Sequence, residues 1–253
     1  MVKKLGSLVL SAAVMCCATA VSAEEIQVAV AANFTAPMKD IAAMYEKESG
    51  NKVLASFGGT GQFYAQIKNG APYQVLFAAD AKTPAKIERE GLGLAGSSRP
   101  YAFGKLILWS ASADFVKEDK NFILSDKVKK IAVANPKLAP YGEAAYQTMQ
   151  AWGNFKDAEP KFVTGDNIGK TFQFAKTANA DVGFVALSQV YKDGKLTSGS
   201  GWVIPSDLYA PIRQDSVVLN PGKDNKAVAD FMKFMAESPK VRALIESYGY
   251  ALQ

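Results

Sequence analysis

Phe57-Gly58-Gly59-Thr60-Gly61-Gln62-Phe63-Tyr64-Ala65-Gln66-Ile67 is the stretch from which the fold is read. The apolar run Val53-Leu54-Ala55-Ser56-Phe57 predicts a strand, and Phe63 and Ile67 after it have helical spacing. Three glycines in four positions let the backbone bend sharply and come close to a bound group. A helix opening there points unpaired N–H groups and the positive end of its dipole into the gap. Such an end holds an anion without a charged side chain. A glycine-rich turn with no ligand fits this one stretch equally well. Three further strand-to-helix junctions of the same kind tip the balance.

Working outward, residues 26–32 predict a first strand, mostly apolar and so central in a parallel sheet. A loop containing Asn33 and Pro37 leads into a helix over 38–48, closed by Gly50. The helix 62–68 is followed by a third buried strand over 75–79, which ends at Asp80, and by a short helix over 82–90. This alternation marks an α/β unit. After Ser97-Ser98-Arg99-Pro100 the pattern restarts, with strands over 106–110 and 129–134 and a charged, surface-like stretch over 114–130 between them. A helix over 143–152, a strand from Phe162, a helix over 170–177 and a strand over 180–186 complete a second α/β unit. A late strand over 213–219 and two helices, over 224–236 and from Ser238-Pro239 to Ser247, pack back on the first unit. The expected organisation is therefore lobe I over 24–104 and 209–253 and lobe II over 105–208. Each lobe is a mostly parallel sheet flanked by helices. Two crossover segments, near Gly104 and Tyr209, make a hinge and a cleft, where small ligands bind.

Residues 1–23 predict an export signal. Lys3 and Lys4 precede an apolar run, and Val21-Ser22-Ala23 gives a small-x-small cleavage site before Glu24. Cleavage after Ala23 removes Cys16 and Cys17, so 230 of the 253 residues remain, without cysteine or histidine. An exported chain without disulfides is held by its hydrophobic core, and this length suffices for one. Absence of His and Cys excludes the thiol nucleophile, the commonest general base and the soft-metal ligands. Loss of Lys3 and Lys4 lowers the formal net charge from +5 to +3, with no dense basic run, so nucleic acid is not an expected partner. No other segment approaches membrane-spanning length.

Four junctions stand out: Ala32-Asn33-Phe34, Gly59-Thr60-Gly61, Pro140-Tyr141-Gly142 and Asn167-Ile168-Gly169. In doubly wound sheets such loops gather at the carboxyl edge of the strands. If the two units face each other, four helix ends converge, nominally about +2 in total at roughly half a charge each. That matches a small dianion. The Thr60 hydroxyl, the Asn33 amide, the Tyr141 hydroxyl and backbone N–H groups are the candidate directional donors.

With these blocks on the page, the sequence resembles the periplasmic molybdate-binding proteins of ABC transporters, over essentially the whole mature chain. The likeness is carried by residues 28–38 and 57–67, by Gly70-Ala71-Pro72 and Phe77-Ala78-Ala79-Asp80, and by Ala134-Asn135-Pro136 with Pro140-Tyr141-Gly142. It continues in Gly183-Phe184-Val185-Ala186 and Tyr248-Gly249-Tyr250. The resemblance implies a two-lobed periplasmic-binding-protein fold that closes around molybdate or tungstate and delivers it to a membrane permease. It implies no enzyme activity, no cofactor, no direct cation ligand, a periplasmic location and a monomer. Carried over by position, it implies oxyanion binding by Asn33, Thr60, Tyr141 and Ile168, the last two through backbone N–H groups. Many members have a tyrosine where this chain has Ala186, and the Tyr141 phenol is a candidate replacement for that donor.

Other motifs weigh less. Gly91-Leu92-Gly93-Leu94-Ala95-Gly96 matches a dinucleotide fingerprint but follows a helix rather than a strand. Gly165 to Thr171 is one residue short of a phosphate loop, and Asn33-Phe34-Thr35 is a formal glycosylation acceptor beside a buried strand. Asp80 and Asp166 at strand ends are expected to cap or to bond at the hinge rather than to catalyse. The competing functions are a receptor for sulfate or another tetrahedral oxyanion, an exported enzyme on a phosphorylated substrate, and a sensor that reports the anion to a partner.

Overall fold

The computed structural model describes residues 23–252, so all of the expected signal except Ala23, with both cysteines, lies outside the described residues. The first part of the chain forms β1 (Glu25–Ala31), α1 (Thr35–Ser49), β2 (Lys52–Gly58), α2 (Thr60–Lys68), β3 (Val75–Phe77), α3 (Lys82–Arg89) and β4 (Arg99–Gly104). The middle part forms β5 (Leu106–Ser110), β6 (Ile131–Ala134), α4 (Pro140–Trp152), α5 (Phe155–Ala158), β7 (Phe162–Gly165), α6 (Ile168–Lys176), β8 (Val182–Ala186), β9 (Tyr191–Lys192), β10 (Lys195–Leu196) and β11 (Ser200–Val203). The chain closes with β12 (Ile212–Val218), α7 (Lys226–Glu237) and α8 (Pro239–Ser247).

Two five-stranded sheets result, ordered β2-β1-β3-β12-β4 and β11-β5-β8-β6-β7. In the first, β1 is parallel to β2 and β3, while β12 is antiparallel to β3 and β4. In the second, β6 is parallel to β7 and β8, while β5 is antiparallel to β8 and β11. The sheets are thus mixed, parallel where the helices cross over and antiparallel towards the hinge. Only Lys105 separates β4 from β5, so the chain passes almost straight from one sheet into the other. A chain that leaves a lobe along β4 and returns along β12 must run in opposite directions on the two.

β1 is buried from Val28 to Ala31, because helices cover both faces of its sheet. On one face Phe231, Met232 and Met235 of α7 and Val241 and Ile245 of α8 pack with Ile26, Val28, Val30 and Phe77. Each such side chain stabilises by about 1.5–3 kcal/mol on burial. On the other face Phe63 and Ile67 of α2 and Ile87 of α3 meet Ala29, Leu76 and Val217. The C-terminal helices therefore do return to the first sheet. Gly50 (φ 76°) and Gly153 (φ 77°) end α1 and α4 in the left-handed conformation that glycine adopts without strain.

Two expectations needed correcting. The stretch 114–130 is not simply a surface: Phe122, Ile123 and Val128 are buried in the core of the second sheet, beneath exposed charges that dominate its composition. The helices α2, α4 and α6 also begin two or three residues earlier than their periodicity suggested, so Thr60, Tyr141 and Ile168 are first-turn helical residues rather than loop residues.

Candidate functional site

Parallel strands β1, β2 and β3 finish at the same edge of their sheet, and β6 and β7 do likewise in the other. The junctions after them therefore face one another across the cleft. Asn33, Thr60, Tyr141 and Ile168, from four separate junctions, all line one cavity of about 10 Å3, with Ala79 and Asn167 beside them. That volume is about what the centre of one water molecule needs. None of the lining side chains carries a charge.

The helix ends at this cavity are left open by their sequence. The N-cap positions of α2 and α4 are Gly59 and Ala139, neither of which has a side-chain acceptor, although Ser, Thr, Asp or Asn is preferred there. Pro140 fills the first position of α4, where no N–H is lost to the helix. At α6 the cap is Asn167, whose Oδ1 accepts from the Lys170 N–H at 3.0 Å, which leaves the Ile168 N–H without an intrahelical acceptor. The Tyr141 N–H is likewise a first-turn donor. Thr60 is buried, and its Oγ accepts from the Ala79 N–H at 2.9 Å, so its own hydroxyl proton is free to donate.

Asn33 and Tyr141 are further tied into a buried polar hub between the lobes. The Asn33 Nδ2 donates to Gln214 Oε1 at 2.8 Å and to the Tyr250 hydroxyl at 2.9 Å. The Gln214 Nε2 donates to the Tyr141 hydroxyl at 3.0 Å, and the Tyr101 hydroxyl lies 3.0 Å from Gln214 Oε1. From lobe II the Ser188 hydroxyl donates to the Asn33 main-chain oxygen at 2.8 Å. Gly104, the last residue before the crossing, abuts the Tyr141 phenol so closely that no side chain fits between them. The phenol thus belongs to the hinge, and the part of Tyr141 left for the cavity is its main chain. Asn33 is 1% exposed, and its Oδ1 has no hydrogen-bond partner. Burial pushes the phenols of Tyr101, Tyr141 and Tyr250 up, so all three stay protonated at neutral pH. The sequence assigns no such role to Gln214, and Tyr250 enters there only as part of a block that carries the family likeness. Consecutive polar residues Gln214, Asp215 and Ser216 within a strand are the sequence signal for the hub.

Outside the cavity the cleft widens into a mouth of about 450 Å3, lined in part by Asp80, Lys82, Glu143, Gln147 and Arg213. Asp80 caps the start of α3, its Oδ1 accepting from the Thr83 N–H at 2.6 Å. Burial raises its carboxyl above the usual value despite the Thr83 bonds. Across the mouth Lys82 and Glu143 stand 3.8 Å apart, both well exposed, so this pair contributes little. The Asn167 Nδ2 donates to Gln62 Oε1 at 3.2 Å, a direct bond between the two lobes. Gly91 to Gly96 lies after α3, and Gly93 bridges to Leu219, a purely structural position.

Two mixed sheets joined by antiparallel crossings, with open helix ends meeting in a charge-free cavity, define a two-lobed solute-binding architecture. The chain belongs to the bacterial extracellular solute-binding protein family, whose model matches residues 26–251. It is 52% identical over 244 residues to the molybdate-binding protein ModA of Azotobacter vinelandii, covering 96% of each chain. It is 45% identical to the molybdate-binding protein ModA of Rhodobacter capsulatus, over 96% of this chain and 94% of that one. The solved periplasmic molybdate-binding protein of Azotobacter vinelandii superposes with a TM-score of 0.86 at 36% identity, over 90% of this chain and 99% of that one. The sulfate-binding protein SubI of Mycobacterium tuberculosis superposes with a TM-score of 0.72 at 10% identity, over 90% and 86%, which shows the shared fold alone. Architecture therefore does not choose the anion.

Proposed function

We propose that this chain is an extracytoplasmic receptor that captures molybdate or tungstate between its lobes and delivers it to an ABC permease, without chemical change to the anion. The carrying observation is the meeting of Asn33, Thr60, Tyr141 and Ile168 around one cavity that no charged side chain lines. The Thr60 hydroxyl and the Tyr141 and Ile168 N–H groups are the donors to a dianion, and none of them changes protonation on release. Asn33 is the fourth residue at the anion, through its first-turn main-chain N–H, because both of its Nδ2 protons already go to Gln214 and Tyr250. Lobe I comprises 24–104 and 209–253, lobe II comprises 105–208, and the monomer is the working unit. The identity with molybdate-binding relatives supports the choice of anion. Among the described residues no helix is long and apolar enough to cross a membrane. Export follows cleavage after Ala23, and a mature N-terminus at any residue other than Glu24 contradicts that site.

Calorimetric titration of the mature protein with molybdate, tungstate, sulfate and phosphate is the deciding experiment. Saturable binding of molybdate and tungstate, with sulfate and phosphate much weaker, is the expected result. Preference for sulfate or phosphate overturns the choice of anion, and turnover of a phosphorylated compound overturns the receptor role.

A further inference from the structure

Three glycines meet the opposite lobe near the cavity: Gly59 lines it, Gly169 follows the lining residue Ile168, and Gly61 lines the mouth. A Cβ built on Gly169 of α6 would lie 2.9 Å from the Ala32 Cβ of the other lobe. One built on Gly59 would lie 3.1 Å from the Asn167 Cβ, whereas one on Gly61 would meet Leu138 only at 3.6 Å, an ordinary contact. Gly169 and Gly59 are not in the left-handed region, so no backbone conformation demands glycine at either position. Alanine is the better helix former at a position such as 169. What glycine provides there is close approach of its backbone to a side chain of the opposite lobe, Ala32 at Gly169 and Asn167 at Gly59. Ala32 and Ile168, the chain neighbours of Asn33 and Gly169, both line the cavity. The distance between Ala32 and Gly169 therefore sets the gap across which Asn33 and Ile168 face each other.

We propose that Gly169, with Gly59 as a second stop, sets how far the lobes close and so which size of tetrahedral oxyanion the cavity accepts. This rests on the oxyanion-receptor function given above. Two carbon atoms at 2.9 Å must part by roughly 0.6 Å or more to reach a favourable separation. A methyl group at 169 is thus a wedge that holds the donors of lobe II away from those of lobe I. A smaller anion loses contact with one lobe first, and a larger one still spans the gap. Sulfate is the smallest of the series, and molybdate and tungstate are the largest.

The test compares wild type, Gly169→Ala, Gly59→Ala and Gly61→Ala by calorimetric titration with sulfate, selenate, molybdate and tungstate, with unfolding midpoints measured alongside. Gly169→Ala is expected to keep its midpoint and to lose affinity for molybdate by about tenfold or more. Its loss for the smaller anions should be greater still, so that the ratio of affinities moves towards the larger ones. Gly59→Ala should move the ratio in the same direction, and Gly61→Ala should leave it unchanged. Gly169→Ala with wild-type affinities, or with an equal loss for every anion, overturns the proposal. A wild type that prefers sulfate defeats the molybdate assignment alone, because the ratio test then runs on the smaller anions. A wild type that binds none of the four defeats both.

Discussion

Replacing Thr60 with valine keeps the β-branched shape at the first position of α2 and removes only the hydroxyl. Two separate losses follow. The Ala79 N–H, which donates to the Thr60 Oγ at 2.9 Å, is left without its acceptor in a site where Thr60 is 3% exposed. An orphaned buried donor costs about 1–3 kcal/mol, and this cost falls on free and liganded protein alike, so it appears in stability rather than in affinity. The hydroxyl proton, which no acceptor among the described residues takes up, is the part that the proposed function assigns to the anion. A hydrogen bond to a charged group contributes about 1.5–3 kcal/mol, which is roughly a 10- to 150-fold weaker Kd. Calorimetry at fixed pH and ionic strength reads the second loss, and urea unfolding without ligand reads the first. Thr60→Ser, which retains the hydroxyl, should recover most of both. If Thr60→Val binds molybdate within twofold of wild type while losing stability, the hydroxyl serves the turn alone and its role at the anion is refuted.

The remaining predictions concern the hinge and the mouth. Tyr141→Phe leaves the Gln214 Nε2 without its 3.0 Å acceptor, so unfolding in urea should show a loss of about 1–3 kcal/mol, while titration should show anion affinity nearly unchanged. A large loss of affinity would return the phenol to the anion. Asp80 has its carboxyl raised above 3.8 by burial, so the folded state holds the proton more tightly than the unfolded state. Its contribution to stability therefore declines as pH rises from 3.8 through the raised value, and Asp80→Asn should flatten that decline. Comparing unfolding of the two proteins at about pH 4 and about pH 7 checks the sign.

Much of this protein was legible in one dimension because local rules generated it. Glycine at 58, 59 and 61, proline at 140 and apolar periodicity in α1, α7 and α8 act within a few residues of themselves, so the strand-to-helix junctions and their open ends could be located without coordinates. The starts of α2, α4 and α6 lie two or three residues earlier than expected because their first turns carry Gly61, Pro140, Gly142 and Gly169, which read as loop. β4 escaped notice for a related reason: it borders its sheet and begins at Arg99-Pro100, which reads as a turn. What only the tertiary structure decided lies where segments far apart in sequence meet. The Asn33–Gln214 bond spans 181 residues, and the Tyr141 phenol, whose chemistry suits an anion, turns instead to the hinge because Gly104 leaves room for it there. Sequence determined which groups are available as donors. The packing of one lobe against the other decided which of them remain for the guest.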